Sequence, residues 1–176
     1  ENNTAATAGG AYFLDGAEFN TNVAYTIKDN TADEGAAIFA SSSIMNNTAK
    51  LTIDKNTGMY GAIAFRAKEG EEFTYNNIDI VNNEALDTNT AQAAALFVEG
   101  KGIIKLDAVN IKDNKSVNNI IRVIDKATLS FINASDISAN EVSNDALILL
   151  RDNATVVLND TTSIHDNTLT GGTNNA

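Results

Sequence analysis

The feature that most constrains this chain is a set of asparagines spaced roughly 27 residues apart, which is the signature of a repeat architecture. The set runs from position 3 to position 167 in six steps of 26 to 31 residues. The chain holds 25 asparagines among 176 residues, so many Asn in loops could be explained by composition alone. Seven of them at one regular spacing argue against that explanation. The phased set is Asn3, Asn30, Asn56, Asn83, Asn114, Asn140 and Asn167.

Six of these asparagines follow an isoleucine three positions earlier, which gives a second column with the same period. Apolar residues within each repeat alternate with a period of two, in short runs broken by Asn, Asp, Gly and Ser, as in short strands. Helical repeats need about 33 to 47 residues and a different spacing. We therefore predict an all-β parallel β-solenoid of about six coils with three short strands each. The isoleucines, expected to stack in its interior, are Ile27, Ile53, Ile80, Ile111, Ile137 and Ile164.

The phased asparagines have a physical reason to recur in such a stack. Parallel strands lie about 4.8 Å apart, so one Asn per coil brings each side-chain amide within hydrogen-bonding reach of the next. Asparagine also tolerates the left-handed backbone of tight turns. We expect the seven residues to form an Asn ladder.

A bulky apolar residue follows most ladder positions by nine or ten residues. In the fourth repeat this residue comes later, which predicts that a loop within Leu86–Gln92 bulges from the coil. The predicted apolar column is Phe13, Phe39, Phe65, Phe97, Val123 and Leu149.

The strands around that column are apolar at alternate positions too, and alternate side chains of a strand point to opposite faces. One of the two faces should therefore carry an apolar stripe that something covers. Either a loop of the same chain or a neighbouring chain could be the cover. The candidate contact stripe is Tyr12, Leu14, Ile38, Leu96, Val98, Ile124, Ile148 and Leu150.

Two repeats resemble a known surface-protein motif. Residues 30–40, Asn-Thr-Ala-Asp-Glu-Gly-Ala-Ala-Ile-Phe-Ala, and residues 3–11, Asn-Thr-Ala-Ala-Thr-Ala-Gly-Gly-Ala, resemble the N-T-A-x-x-G-G-A-I repeat of right-handed parallel β-helix proteins. That group includes polymorphic outer membrane proteins and autotransporter passengers, and Phe19–Asn22 resembles its companion F-x-x-N element. The resemblance weakens from the fourth repeat onward. It implies a right-handed coil, secretion, surface display, adhesion or scaffolding, and no shared catalytic residues.

The amino-acid composition disfavours an enzyme or a metal-binding protein. The chain has no Cys and a single His, so thiol nucleophiles, zinc knuckles and multi-His metal sites lack material. We expect the turn aspartates Asp29, Asp54, Asp113 and Asp166 to form a solvated acidic edge, with a calcium site as the alternative. We predict no enzyme activity, no cofactor and no metal. A carbohydrate-active β-helix enzyme or a carbohydrate-binding module is the alternative from a different class.

Net charge, hydropathy and composition indicate which partners and which cellular location to expect. A net charge of −11 disfavours nucleic acid, and no apolar run is long enough to insert into a membrane. Richness in Asn, Thr, Ser, Ala and Gly favours an extracellular or cell-surface location, bacterial or archaeal, with any signal removed. Self-association, head-to-tail or lateral, is the expected partnership, with a host or surface protein or glycan as another possibility.

The two ends of the repeat array suggest how self-association would work. Residues 1–176 read as one β-helix domain without obvious capping elements, and uncapped solenoid ends tend to pair with other strands. The sequence thus favours a self-assembling extracellular filament subunit that stacks head to tail. The close alternative is a passenger segment of a large bacterial surface adhesin.

Overall fold

The computed structural model of this protein describes residues 1–85 and 93–171, and these residues form a parallel β-solenoid of six coils. They contain 24 strands and no helix, and every strand pairs in parallel with the strand one coil away. The predicted fold class is therefore confirmed. The prediction of three strands per coil was wrong, because each coil has four. The predicted loop within Leu86–Gln92 lies outside the described residues.

The four strands of each coil build four sheets that run along the solenoid. Sheet 1 contains β1 (Tyr12–Asp15), β5 (Ile38–Ser41), β9 (Ile63–Ala67), β13 (Leu96–Gly100), β17 (Ile121–Val123) and β21 (Ile148–Leu150). Sheet 2 has a two-stranded part, β2 (Glu18–Thr21) and β6 (Ile44–Asn47), and a four-stranded part, β10 (Glu72–Asn76), β14 (Ile103–Asp107), β18 (Thr128–Ile132) and β22 (Thr155–Val157).

The other two sheets flank the Asn column. Sheet 3 contains β3 (Tyr25–Lys28), β7 (Leu51–Asp54), β11 (Ile78–Val81), β15 (Asn110–Lys112), β19 (Asp136–Ser138) and β23 (Ser163–His165). Sheet 4 contains β4 (Thr31–Glu34), β8 (Thr57–Tyr60), β12 (Glu84–Ala85), β16 (Lys115–Ser116), β20 (Glu141–Val142) and β24 (Thr168–Leu169). Residues Thr4 and Ala8 pair with Thr31 and Glu34, which adds one arc before the first full coil.

The hydrophobic core is a column inside the coils. The register of sheet 3 places the six predicted isoleucines directly above one another, from Ile27 to Ile164. Five of them are buried, whereas Ile164 on the last coil is exposed because no further coil covers it. Apolar residues of sheets 1 and 2, such as Phe65 and Leu129, fill the rest of the interior.

The predicted Asn ladder is present and lies at the turn between sheets 3 and 4. Each Asn except the last, Asn167, donates from its backbone N–H and from Nδ2 to the Oδ1 of the Asn in the next coil, at 2.8 to 3.1 Å. Nδ2 of Asn83 also donates to the Val81 and Ile53 carbonyls. The five inner asparagines are at most 1% exposed. Their amides therefore satisfy buried backbone groups that water cannot reach.

The left-handed residue of this turn is not the ladder Asn itself but the residue just before it. Positive φ angles of 53° to 58° occur there in all seven cases. The residues are Asn2, Asp29, Lys55, Asn82, Asp113, Ala139 and Asp166. The ladder Asn serves this turn by bonding the carbonyl two residues earlier, as Asn114 does with Lys112.

We predict that Asn83→Ala lowers the free energy of unfolding by about 1–3 kcal/mol, because Asn56 and Asn114 lose buried hydrogen bonds. Asn83→Asp should cost at least as much, since a carboxylate would face the Asn114 Oδ1 that now accepts a hydrogen bond. Chemical denaturation measures both. Asn22→Ala, on the exposed turn before sheet 3, is the control and should be neutral. A neutral result for Asn83→Ala would contradict the ladder's role.

Candidate interaction surfaces

The outward face of sheet 1 carries an aromatic column that differs in register from the predicted one. Phe13, Phe39, Phe97 and Leu149 do share a column, but its other members are Ala64 and Arg122. The predicted members Phe65 and Val123 lie one position later and are buried in the interior.

The reason for the shift is the length of the preceding turn. The second coil has Gly35, Ala36 and Ala37 before sheet 1, whereas the third has only Gly61 and Ala62. Removing one residue moves every later side chain of a strand to the opposite face. Counting from the ladder Asn therefore gives the wrong face for Phe65, and likewise for Val123.

The residues of the predicted contact stripe do not form a surface on the side of the solenoid. Ile38, Leu96 and Val98 point inward and are fully buried in the core. Tyr12, Leu14, Ile148 and Leu150 belong to the same two inward columns, on the first and last coils. Ile124 packs instead on the outside, against the Phe39–Phe97 cluster.

In the middle coils, other side chains of the same protein cover the aromatic residues of this outward column. Phe13 stacks on Phe39 with ring centroids 4.9 Å apart, and the Arg66 guanidinium lies 5.1 Å from the Phe39 ring centre. Tyr60 meets Phe97 edge-on at 5.0 Å. As a result Phe39 and Phe97 are buried, while Phe13 at the first coil is 59% exposed.

Arg66 is held over Phe39 by two carboxylates that sequence reasoning did not single out. It contacts Glu99 in the next coil and lies 3.5 Å from Glu34 in the previous one. Burial raises the pKa of Glu34 above its ordinary value, against the opposing effect of Arg66. Only the strand register brings these three residues together, since they are far apart in sequence. We call this arrangement, in which Glu34 and Glu99 hold the Arg66 guanidinium over the Phe39 ring, the Arg66 clamp.

The largest exposed apolar surface lies at the two ends of the solenoid. Among the described residues nine large hydrophobic side chains are exposed, and Ile44 alone is not on an end coil. Those on the first coil are Tyr12, Phe13 and Val23. Those on the last coil are Leu150, Val157, Leu158, Ile164 and Leu169.

The two ends differ in chemistry. At the first coil the Phe19 ring packs between two tyrosines, with its centroid 5.1 Å from that of Tyr12 and 6.0 Å from that of Tyr25. The side chains that close this end of the core are therefore aromatic. At the last coil the exposed apolar side chains are aliphatic and include Ile164 and Leu169. The exposed large apolar side chains of the described residues are therefore concentrated on the two end coils.

The four turn aspartates do not form a continuous column along the solenoid. Asp29, Asp113 and Asp166 share the left-handed turn position, but Lys55, Asn82 and Ala139 occupy it in the coils between them. Asp54 accepts a hydrogen bond from Asn82 at 2.8 Å. Within residues 1–85 and 93–171, no three His, Cys, Asp or Glu side chains are grouped to hold a metal ion.

The single histidine lies on the outward face of sheet 3, in the last coil. Its Nδ1 is 2.7 Å from Asp166 and its Nε2 is 3.2 Å from Asp136, which also pairs with Lys112. The hydrogen bond with Asp166, joined by the charge of Asp136, raises the pKa of His165. These contacts lie on the outer surface of the end coil, where His165 is exposed and Asp136 is half-buried.

Comparisons with known protein families, with curated proteins and with solved structures found no match to this chain. In the part of the chain that the structure describes, no helix is long and apolar enough to span a membrane.

We predict that the imidazole of His165 titrates above its ordinary value of about 6.5. Proton NMR can follow it without ambiguity because the chain has one His. Asp166→Asn should lower this pKa more than Asp136→Asn, since the Asp166 hydrogen bond is the larger cause. A raised folded pKa stabilises the fold below the unfolded value, and this contribution disappears as pH rises through the folded pKa. A pKa at or below the ordinary value would contradict these contacts.

Proposed function

We propose that this protein is an extracellular structural β-solenoid that acts by contact, and that its coils stack head to tail with those of further copies into a filament. The observation that carries this proposal is the concentration of exposed large apolar side chains on the first and last coils. A further coil placed on either end would remove them from water, which is the main driving force of association.

The direction of the Asn ladder favours head-to-tail over head-to-head contact. Each Asn donates toward the C-terminal coil and accepts from the N-terminal one. Asn167 therefore turns its backbone N–H and Nδ2 toward the open end of the last coil. A junction between unlike ends repeats without closing and gives a fibre. Six coils at about 4.8 Å would advance such a fibre by roughly 29 Å per copy.

The extracellular location rests on composition and on the repeat resemblance. The Asn-Thr-Ala repeats resemble those of polymorphic outer membrane proteins and autotransporter passengers, which are displayed on cell surfaces. The same end surfaces would suit a passenger segment of a large surface adhesin, where neighbouring coils of one longer chain would cover them. Assembly of the 176-residue chain separates these two possibilities.

The proposal is tested by electron microscopy and light scattering of the purified chain over a range of concentrations. We expect filaments above a threshold concentration, and we expect salt to lower that threshold. Each copy carries a net charge of −11, and salt screens the repulsion between copies. Monodisperse particles at every concentration would overturn the filament proposal and favour the adhesin segment.

A matched pair of variants locates the contact. Ile164→Asp, on the end coil at 41% exposed, should raise the threshold concentration at least tenfold, because it places a charge in an apolar junction. Ile44→Asp, on the side of the second coil at 43% exposed, should leave the threshold unchanged. Thermal melting followed by circular dichroism confirms that both variants fold. The reverse result would mean that copies associate laterally.

A further inference from the structure

Sheet 2 is interrupted in the interior of the solenoid, between the second and third coils. Among the described residues, sheets 1, 3 and 4 each continue through all six coils, whereas sheet 2 has no pairing between β6 and β10. β6 pairs with β2 on its other side, and β10 pairs with β14. The junction of the second and third coils therefore lacks regular backbone pairing on one side.

The other three sides of this junction are intact. β5 pairs with β9 and β7 pairs with β11, through four residue pairs each, and β8 pairs with β12. The Asn ladder crosses the junction as well, because Asn56 donates its backbone N–H and its Nδ2 to Asn83 Oδ1, at 2.8 and 3.1 Å. The two coils are thus aligned by three sheets and the ladder.

Side-chain hydrogen bonds connect the coils where the backbone pairing is missing. The Tyr75 hydroxyl donates to the Ser43 carbonyl at 2.7 Å. Next to it, the Ser42 hydroxyl donates to Glu71 Oε2 at 2.8 Å. Each of these bonds depends on one side chain, so a single substitution removes it without altering a backbone ladder.

The far end of β6 is bonded less completely. Asn77 donates Nδ2 to the Asn47 carbonyl at 3.2 Å, and Asn47 donates Nδ2 to the Asn76 carbonyl at 3.4 Å. The Asn47 side chain is buried, and its Oδ1 has no hydrogen-bond partner in the part of the chain that the structure describes. A buried acceptor without a partner is destabilising, so this end adds little to the closure of the junction.

The core behind the interruption contains Met45, Phe65 and Tyr75, which are all fully buried. The rings of Phe65 and Tyr75 stack with their centroids 4.2 Å apart, which positions the Tyr75 hydroxyl toward the second coil. Burial raises the pKa of Tyr75, so this hydroxyl keeps the proton that it donates to the Ser43 carbonyl. Apolar packing and one buried hydroxyl therefore close the junction from the inside.

We propose that this junction is a hinge, which opens when β6 separates from β10 while the other three sheets and the Asn ladder stay paired. The Tyr75 hydroxyl holds the hinge closed. Proteins open locally where few backbone hydrogen bonds have to break. Opening exposes Met45 and tilts the first two coils relative to the other four, so the solenoid bends without losing its register. The hinge belongs to a single chain and does not depend on filament assembly.

Oxidation of Met45 measures the opening of the unmodified chain. Hydrogen peroxide transfers one oxygen atom to the thioether sulfur, which gives the sulfoxide and water. Because Met45 is fully buried, its sulfur reacts when the structure opens. Mass spectrometry of the peptide that contains Met45 gives the rate. We expect oxidation faster than the rate calculated from global unfolding in denaturant, and a rate equal to that of global unfolding would overturn the hinge.

A matched pair of tyrosine variants tests the hydroxyl. Tyr75→Phe should raise the rate of Met45 oxidation about tenfold, because the buried Ser43 carbonyl loses its partner. Tyr25→Phe is the control, since the Tyr25 hydroxyl is buried and has no hydrogen-bond partner among the described residues. This control should leave the rate unchanged. Equal rates in the two variants would contradict the role of the Tyr75 hydroxyl.

Single cysteines locate the opening within the coil. The chain has no Cys, so Met45→Cys, Ile53→Cys and Leu106→Cys each introduce one thiol at a fully buried position. Ile53 lies in sheet 3 of the same coil as Met45, and Leu106 lies in the continuous part of sheet 2. We expect a soluble thiol reagent to label position 45 roughly tenfold faster than the other two, after correction for the unfolding free energy of each variant.

The labelling rates separate a hinge from other kinds of opening. Equal rates at positions 45 and 53 would mean that the first two coils detach as a whole, which would overturn the hinge. Equal rates at positions 45 and 106 would mean that the interruption does not weaken sheet 2, with the same consequence. Circular dichroism shows whether each variant folds, and if Met45→Cys does not, the oxidation rate of the wild-type chain decides.

Discussion

The structure depends on the hydrogen bonds of seven asparagines stacked one per coil. A parallel solenoid has a turn in every coil whose carbonyls face inward, and buried polar groups are costly when they lack partners. The side-chain amides of Asn56, Asn83 and Asn114 each donate to two backbone carbonyls and to the Asn of the next coil at once. Because that arrangement repeats at the strand spacing, it fixes the alignment of the coils and thereby the pairing in sheets 3 and 4.

Elsewhere in the coil the register is set by turn length, and the turns vary. The third coil lacks one alanine of the second, so Phe65 turns inward where Phe39 turns outward. The core gains an aromatic side chain, which stacks on Tyr75 at 4.2 Å, and the outer face gains the small Ala64 between Phe39 and Phe97. The Arg66 clamp then follows, because the guanidinium lies between Glu34 and Glu99 of the adjacent coils.

A stack held together by contacts between neighbouring coils has two surfaces that differ from the rest, and these are its ends. Interior coils cover one another, so the apolar columns of sheets 1 and 3 become exposed only at the first and last coils. The filament proposal rests on this geometry, since the end surfaces are apolar and the ladder groups at the two ends are complementary.

The sequence alone determined the period, the ladder and the interior isoleucines, because all three depend on a spacing that is the same in every coil. It also predicted the parallel solenoid, since only short strands fit repeats of this length. Tertiary structure decided the fourth strand of each coil, the faces of Phe65, Val123 and the contact stripe, and the Arg66 clamp. The physical reason is that a strand changes face with every residue, so one residue more or less in a turn reverses the outcome, and only the paired register shows where that residue was lost.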